Sequence, residues 1–386
     1  MLTSRERLPS VDLLRGSVMI LMALDHTRDF FSDTALKFDP CDLAQTTVPL
    51  YFTRWVTHFC APLFVFLAGT GAYLSLDRGR SIRDLSRFLL TRGVWLILLD
   101  PIVIRQSWFW DLNFRFTFGQ VIWAIGWSMV VLAALIRFPR WQIAIFSLSL
   151  IAGHNLFDGV RPDPTTAWGM IWSVLHVRGD IEPIEGFTFW VMYPLIPWVG
   201  VLALGYVFGS VLRLEAEKRR RTLILLGSSL TAGFIVLRWL NGYGDPHPWS
   251  FQKNAIFTLM SFLNCEKYPP SLLYLLMTLG PAILALFLLD RASGPIIRMI
   301  VTFGRVPMFF YLIHVPFIKL LAGIAHLPRY GLKAFDFDPF SAPPDFGFGL
   351  PVVYAVCIVV VILLYFPCLW FAGVKSRRRN WWLGYL

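Results

Sequence analysis

Val11-Asp-Leu-Leu-Arg15-Gly-Ser17-Val-Met-Ile-Leu-Met-Ala-Leu24-Asp25-His26-Thr-Arg28-Asp29-Phe-Phe31 is the stretch on which the fold turns. Its uninterrupted apolar run, Ser17 to Leu24, is too short to cross a hydrocarbon layer, which takes about 20 residues of helix. Ionisable groups stand at both ends of that run. Such a helix sits in a membrane only when neighbouring helices shield it and its polar groups face the bundle interior. The remainder of the chain therefore has to supply the shielding helices.

It does. With the first stretch at 10–31, apolar segments of spanning length lie near 55–76, 84–104, 118–137, 141–158, 189–212, 222–240, 271–289, 296–325 and 350–372. The ninth is expected to break at Pro307 or Pro316, since each removes a backbone donor. An eleventh span arises if 165–176 enters the membrane. Composition agrees: 56% of residues are hydrophobic, 15% are charged, and the mean hydropathy is +0.60. Soluble domains carry roughly 25% charged residues, which excludes an ordinary soluble enzyme. The 34 Phe, 16 Trp and 12 Tyr exclude disorder. Cysteines at 41, 60, 265, 357 and 368 form neither a metal-type spacing nor a dense disulfide framework. The expected fold is all-α, a polytopic helical membrane protein of about ten transmembrane helices. It reads as one domain over 1–386 with a basic tail at 373–386.

The net charge of +11 has two readings, nucleic acid or cationic loops on a membrane. Placing both termini in the cytoplasm puts 20 of the 35 basic residues on that face, mostly in short segments, against 12 on the other. The charge thus orients the bundle against anionic lipid, and no nucleic-acid partner is expected. The first segment lacks a small-residue cleavage site, so no cleavable signal peptide is read there. No internal repeat is present. The outer loops 32–54, 158–188, 241–270 and 326–349 are long enough to cover a site, and the last, with Phe335-Asp-Phe-Asp-Pro and Ala342-Pro-Pro, is a candidate lid or a passive connection. The Trp-rich run Ser107-Trp-Phe-Trp-Asp reads as an outer interfacial belt.

Arg15 and His26 are eleven residues apart, which at about 100° per residue returns them to nearly one helix face, about 16 Å apart along the axis. Asp12 lies three residues before Arg15 and can pair with it, and Asp29 lies three after His26 and can orient its imidazole. Asp25 and Arg28 make a further i,i+3 pair. The functional reading is an anion holder near the cytoplasm, aligned with a proton-transfer group deeper in. The alternative is an ion pair closing a helix end and a satisfied interior histidine. His58, Asp100, Gln120 and His154 fall at outer span ends, Arg305 near the inner face, and His314 in mid-span. His58 and His314 are candidates to line the same site, while Asp100, Gln120 and His154 are weaker ones. A zinc site from His26, His58 and His154 is conceivable, but no local His-x-x-x-His or Cys-x-x-Cys pair supports it.

Leu8-Pro-Ser-Val-Asp-Leu-Leu-Arg-Gly16, followed by a span reaching Asp25-His26, resembles bacterial membrane proteins related to heparan-alpha-glucosaminide N-acetyltransferase. Four further segments are similar to that family: Ala61-Pro-Leu-Phe-Val-Phe-Leu-Ala-Gly69, Phe118-Gly-Gln-Val-Ile-Trp-Ala-Ile-Gly126, Tyr193-Pro-Leu-Ile-Pro-Trp-Val-Gly200 and Phe303-Gly-Arg-Val-Pro-Met-Phe-Phe-Tyr-Leu-Ile-His314. The spacing from Arg15 to His26 also resembles the first-helix signature of the wider type-three membrane acyltransferases. The lysosomal sugar N-acetyltransferase looks to carry its essential histidine in the loop after the first span, and loop 32–54 here has no histidine. His26 matches the position in the wider superfamily instead.

The resemblance implies transfer of an acyl group from cytoplasmic acetyl-CoA or another acyl-CoA, in a bacterial inner membrane, to a hydroxyl or amine acceptor, commonly a sugar, on the far side. Arg15 and Arg305 are then expected to hold the CoA phosphates, His26 to act as general base or transient acyl carrier, and Asp29 to hold its tautomer. His58 or His314 would polarise the thioester carbonyl, and no metal is expected. Two other classes fit the same buried charges: a proton-coupled transporter and a non-catalytic membrane scaffold.

Overall fold

The computed structural model describes residues 8–385 apart from 36, 77, 78, 339, 344 and 379; of the basic residues assigned above to the cytoplasmic face, Arg5, Arg7, Arg78 and Arg379 lie outside the described residues. Along the chain the helices are α1 (Pro9–Phe31), α2 (Val48–Thr57), α3 (Cys60–Leu76), α4 (Ile82–Leu99), α5 (Arg105–Phe109), α6 (Val121–Leu135), α7 (Arg140–Gly153) and α8 (Ala167–Leu175). They continue as α9 (Leu195–Phe208), α10 (Ala216–Leu240), α11 (Ala255–Leu263), α12 (Leu272–Leu289), α13 (Pro295–Arg305), α14 (Pro307–Tyr330) and α15 (Leu350–Arg377). Every apolar stretch read from the sequence overlaps one of these helices or a consecutive pair. Among the described residues six helical segments are long and apolar enough to cross a membrane: 48–76, 195–213, 216–240, 272–289, 307–335 and 350–377. Helix α1 is not among them, and its five charged residues, Asp12, Arg15, Asp25, Arg28 and Asp29, are the reason.

The helix ends follow local chemistry. Thr47, Ser81, Thr166 and Asn254 each accept a backbone N–H from the first turn of the helix they precede, satisfying a donor that has no partner within the helix. The break expected in the ninth span occurs at Val306, with Pro307 starting α14, where its missing N–H costs nothing. Pro316 is absorbed inside α14.

The chain gathers into two compact units. The first holds Ala61–Val103 and Asn113–Phe287, and the second holds Leu8–Cys60, Ile104–Leu112 and Leu288–Leu386. In the first unit, Ser86 donates to the Ala133 carbonyl across α4 and α6, and Thr70 to the Gly205 carbonyl across α3 and α9. This unit adds to the all-α expectation a three-stranded sheet in the order β1-β3-β2, made by β1 (Phe116–Gly119), β2 (Gly179–Ile184) and β3 (Phe187–Val191). β1 runs parallel to β3, and β2 is antiparallel to it. The spans read at 118–137 and 189–212 each take in the end of a strand, because a short apolar run does not distinguish strand from helix. Arg238, 1% exposed, shapes the loop after α10 by donating to the carbonyls of His247, Ser261, Phe262 and Asn264.

In the second unit α1 crosses α13 with backbone against backbone. A Cβ on Gly16 would stand 1.9 Å from the Ile300 carbonyl oxygen, and one on Gly304 would stand 1.8 Å from that of Asp12. Only glycine at both positions permits this approach. The crossing thereby joins the Arg15-Gly16 and Gly304-Arg305 pairs of the two motifs.

Candidate functional site

The second unit collects every residue singled out from the sequence for catalysis or donor binding. At one end of α1, Arg15 Nη1 donates to Asp12 at 3.2 Å and to the Gly304 carbonyl at 3.4 Å. Arg305 follows directly and is exposed at the end of α13. Both arginines therefore belong to the crossing that the two glycines allow.

Toward the other end of α1, His26 Nδ1 lies 3.4 Å from Asp29 Oδ2. Arg28 holds the other oxygen of Asp29 at 2.6 Å and also pairs with Asp25 at 3.1 Å. The His26–Asp29 and Asp25–Arg28 contacts are the i,i+3 pairs that the helix pitch predicts, and Arg28–Asp29 joins them between adjacent residues. Asp25 has two further partners that sequence reading did not assign: Arg54 from α2, 2.8 Å from both carboxylate oxygens, and Thr57, which donates at 2.9 Å. Two carboxylates thus share two guanidinium groups, so charge is balanced around His26 with both Asp29 oxygens already engaged.

α14 brings His314 beside His26, ring centroids 5.2 Å apart. His314 is fully buried, and its Nδ1 faces the Phe310 and Tyr311 carbonyls at 3.1 and 2.7 Å. Those acceptors place the proton on Nδ1 and leave Nε2, which has no hydrogen-bond partner among the described residues, as an acceptor. Trp108, expected in an interfacial belt, is 7% exposed and meets the His26 ring edge-on at 5.1 Å. Its carbonyl accepts a hydrogen bond of 2.8 Å from Lys319 Nζ, and the ammonium also lies 5.1 Å from the centre of the Trp110 ring. Sequence reading passed over Lys319. A lone lysine inside the apolar run of α14 was the available signal, since a charge at that depth is costly without a use.

Asp29 and Lys319 both line a cavity of about 250 Å³ whose opposite wall is the 331–346 segment, including Ala334, Phe337, Asp338 and Phe340. The candidate lid is thus built onto the site. Phe340 stacks on Phe109 of α5 at 6.1 Å, and Asp338 accepts the Phe340 and Ser341 N–H groups, which closes the turn at its tip. At its root, His326 stacks on Phe346 at 3.7 Å and accepts the Gly347 N–H at 3.2 Å.

The remaining candidates go elsewhere. His58 sits at the break between α2 and α3, 3% exposed, with Nε2 3.9 Å from Cys41 Sγ. In the first unit, Asp100 accepts the Gln120 N–H at the start of α6 and so serves as a helix cap. His154, weighed with His26 and His58 as a conceivable zinc ligand, has its Nδ1 3.2 Å from His176 Nε2, with Asp158 in the same cluster.

Residues 7–238 match the family model described as heparan-alpha-glucosaminide N-acetyltransferase, catalytic. The chain belongs to this family. A search of curated proteins found no match. Family membership and the six apolar helical segments make this an integral membrane protein of an acetyltransferase family. Arg15, His26, Asp29 and His58 fall within the matched residues, while Arg305, His314, Lys319 and the lid lie beyond them.

Proposed function

We propose that the chain is a membrane acyltransferase that moves an acetyl or other acyl group from cytoplasmic acyl-CoA to a sugar or other hydroxyl or amine acceptor across a bacterial inner membrane. It spans that membrane ten times, with both termini in the cytoplasm and anionic lipid at the basic face. The observation that carries this reading is His26, paired with Asp29 of the lid-walled cavity, on the same helix as Arg15. Arg15 and Arg305 hold the CoA phosphates at the inner end. The pantetheine arm covers the roughly 16 Å to His26.

Asp29 accepts a hydrogen bond from the Nδ1–H of His26 and leaves Nε2 as the base. Nε2 takes the proton of the acceptor O–H or N–H, the acceptor atom attacks the thioester carbonyl carbon, and the C–S bond breaks. CoA leaves as a thiolate and recovers the proton from His26. His314, with its bare Nε2, accepts a hydrogen bond and so serves the acceptor better than the thioester oxygen. Polarising that oxygen falls to Lys319, whose ammonium carries three donors and gives one to Trp108. His58, seated on Cys41, is assigned to the α2–α3 break.

The experiment is transfer from labelled acetyl-CoA into an acceptor pool enclosed in vesicles holding the full chain. His26→Ala is expected to lower the rate by about 10²–10⁴-fold. Transfer at the wild-type rate would remove His26 from the chemistry, and acceptor accumulation without CoA release would assign the chain to transport.

A further inference from the structure

The first unit holds a second histidine cluster that the acyl-transfer chemistry does not use. His154, at the end of α7, and His176, just after α8, are each 2% exposed. His154 Nδ1 stands 3.2 Å from His176 Nε2, and Asp158 Oδ1 stands 3.9 Å from that same nitrogen. One ligand atom from each of the three residues falls within a 4.8 Å cluster. We propose that His154, Asp158 and His176 form a binding site for a divalent transition-metal ion of the zinc class.

Three features carry this. The first is distance. Two atoms bound to one ion at about 2.0–2.1 Å stand about 2.8–3.4 Å apart at octahedral or tetrahedral angles. The imidazole pair already meets that range, the carboxylate reaches it toward His176 by closing about 0.5 Å, and the three ligand atoms, all within 4.8 Å of one another, contract by up to about 1.4 Å to share one ion. The second is aim. Asn155 donates to Asp158 Oδ2 at 2.9 Å and itself accepts the Leu272 N–H at 3.0 Å, so Oδ1 is the oxygen turned to the histidines. Trp172 stacks on the His176 ring at 5.3 Å and fixes its plane. Ligand-orienting contacts of this kind are what metal sites need around them. The third is charge and access. His176 Nε2 also faces the His154 carbonyl at 3.0 Å, so an ion replaces that contact and the ring proton moves to Nδ1. Two imidazoles and a carboxylate suit a cation. Asp158 and His176 also line a polar cavity of about 250 Å³ with Arg161, His247 and Glu266, from which water completes the coordination.

The occupant would clip α7 to the segment after α8, closing a loop whose ends are 22 residues apart. It would be a structural ion, independent of the acyl-transfer reading.

The test uses the full chain in detergent, stripped with chelator and titrated with Zn²⁺, with bound metal counted by mass spectrometry. One zinc per chain is expected. His176→Asn should abolish stoichiometric binding, and Asp158→Asn and Asn155→Ala should weaken it, the latter by about 10–100-fold. His247→Ala, in the same cavity wall, should retain the metal. If His176→Asn does not fold, the isosteric Asp158→Asn decides. No stoichiometric zinc in the parent chain, or equal zinc in parent and Asp158→Asn, would reduce the pair to an imidazole–imidazole hydrogen bond. Loss with His247→Ala alone would overturn the ligand set.

Discussion

Two histidine clusters, one in each unit, use the same side chain in opposite ways. In the second unit the rings of His26 and His314 are 5.2 Å apart, and each has a private partner: a carboxylate for His26 and backbone carbonyls for His314. Each partner occupies one nitrogen and leaves the other for a passing proton. In the first unit the nitrogens of His154 and His176 face each other at 3.2 Å with a carboxylate beside them. There two nitrogens and a carboxylate converge where one ion can share them, once it replaces the His154 carbonyl that His176 Nε2 also faces at 3.0 Å. The partner of the second nitrogen, more than burial or sequence context, separates a proton-transfer histidine from a ligand histidine.

The contrast can be broken at several points. After His26→Ala, the largest effect is expected from Lys319→Met, which keeps the stem out to Cε but removes the ammonium: transfer should fall by about 10²–10³-fold with little change in donor affinity. A pure KM effect on the acceptor would reassign Lys319 to binding. Asp29→Asn should cost less, about 10-fold in kcat, because an amide still contacts the ring but no longer favours the protonated intermediate. If Asp29→Asn leaves kcat unchanged while Asp25→Asn abolishes it, the orienting carboxylate has been misassigned. The smallest effect concerns the other cluster. Chelator treatment should lower the melting temperature by about 2–4 °C and leave the transfer rate of the folded protein unchanged. A parallel loss of transfer would show that the two clusters are not independent.

What lies within one helix was legible in advance. The contacts Asp12–Arg15, Asp25–Arg28 and His26–Asp29 are all i,i+3, and the pitch of α1 dictates them once the segment is helical. The restart of the helix at Pro307 follows from the missing donor of that residue in the same local way. The small sheet was not legible, since Phe118-Gly119, the end of β1, is apolar enough to be read into the following helix and becomes strand only through pairing with β3.

By itself, then, the sequence determined that this is a helical membrane protein whose first helix carries buried charge, and it set which of those charges pair along that helix. Only the tertiary structure decided which distant groups complete each cluster: Arg54 for Asp25, Trp108 and His314 for His26, Lys319 for the cavity, and His176 with Asp158 for His154. The physical reason is range. Helix geometry fixes neighbours three or four residues apart, whereas contacts between elements depend on how their surfaces pack, as where Gly16 and Gly304 bring two backbones into contact and set Arg15 against the Gly304 carbonyl.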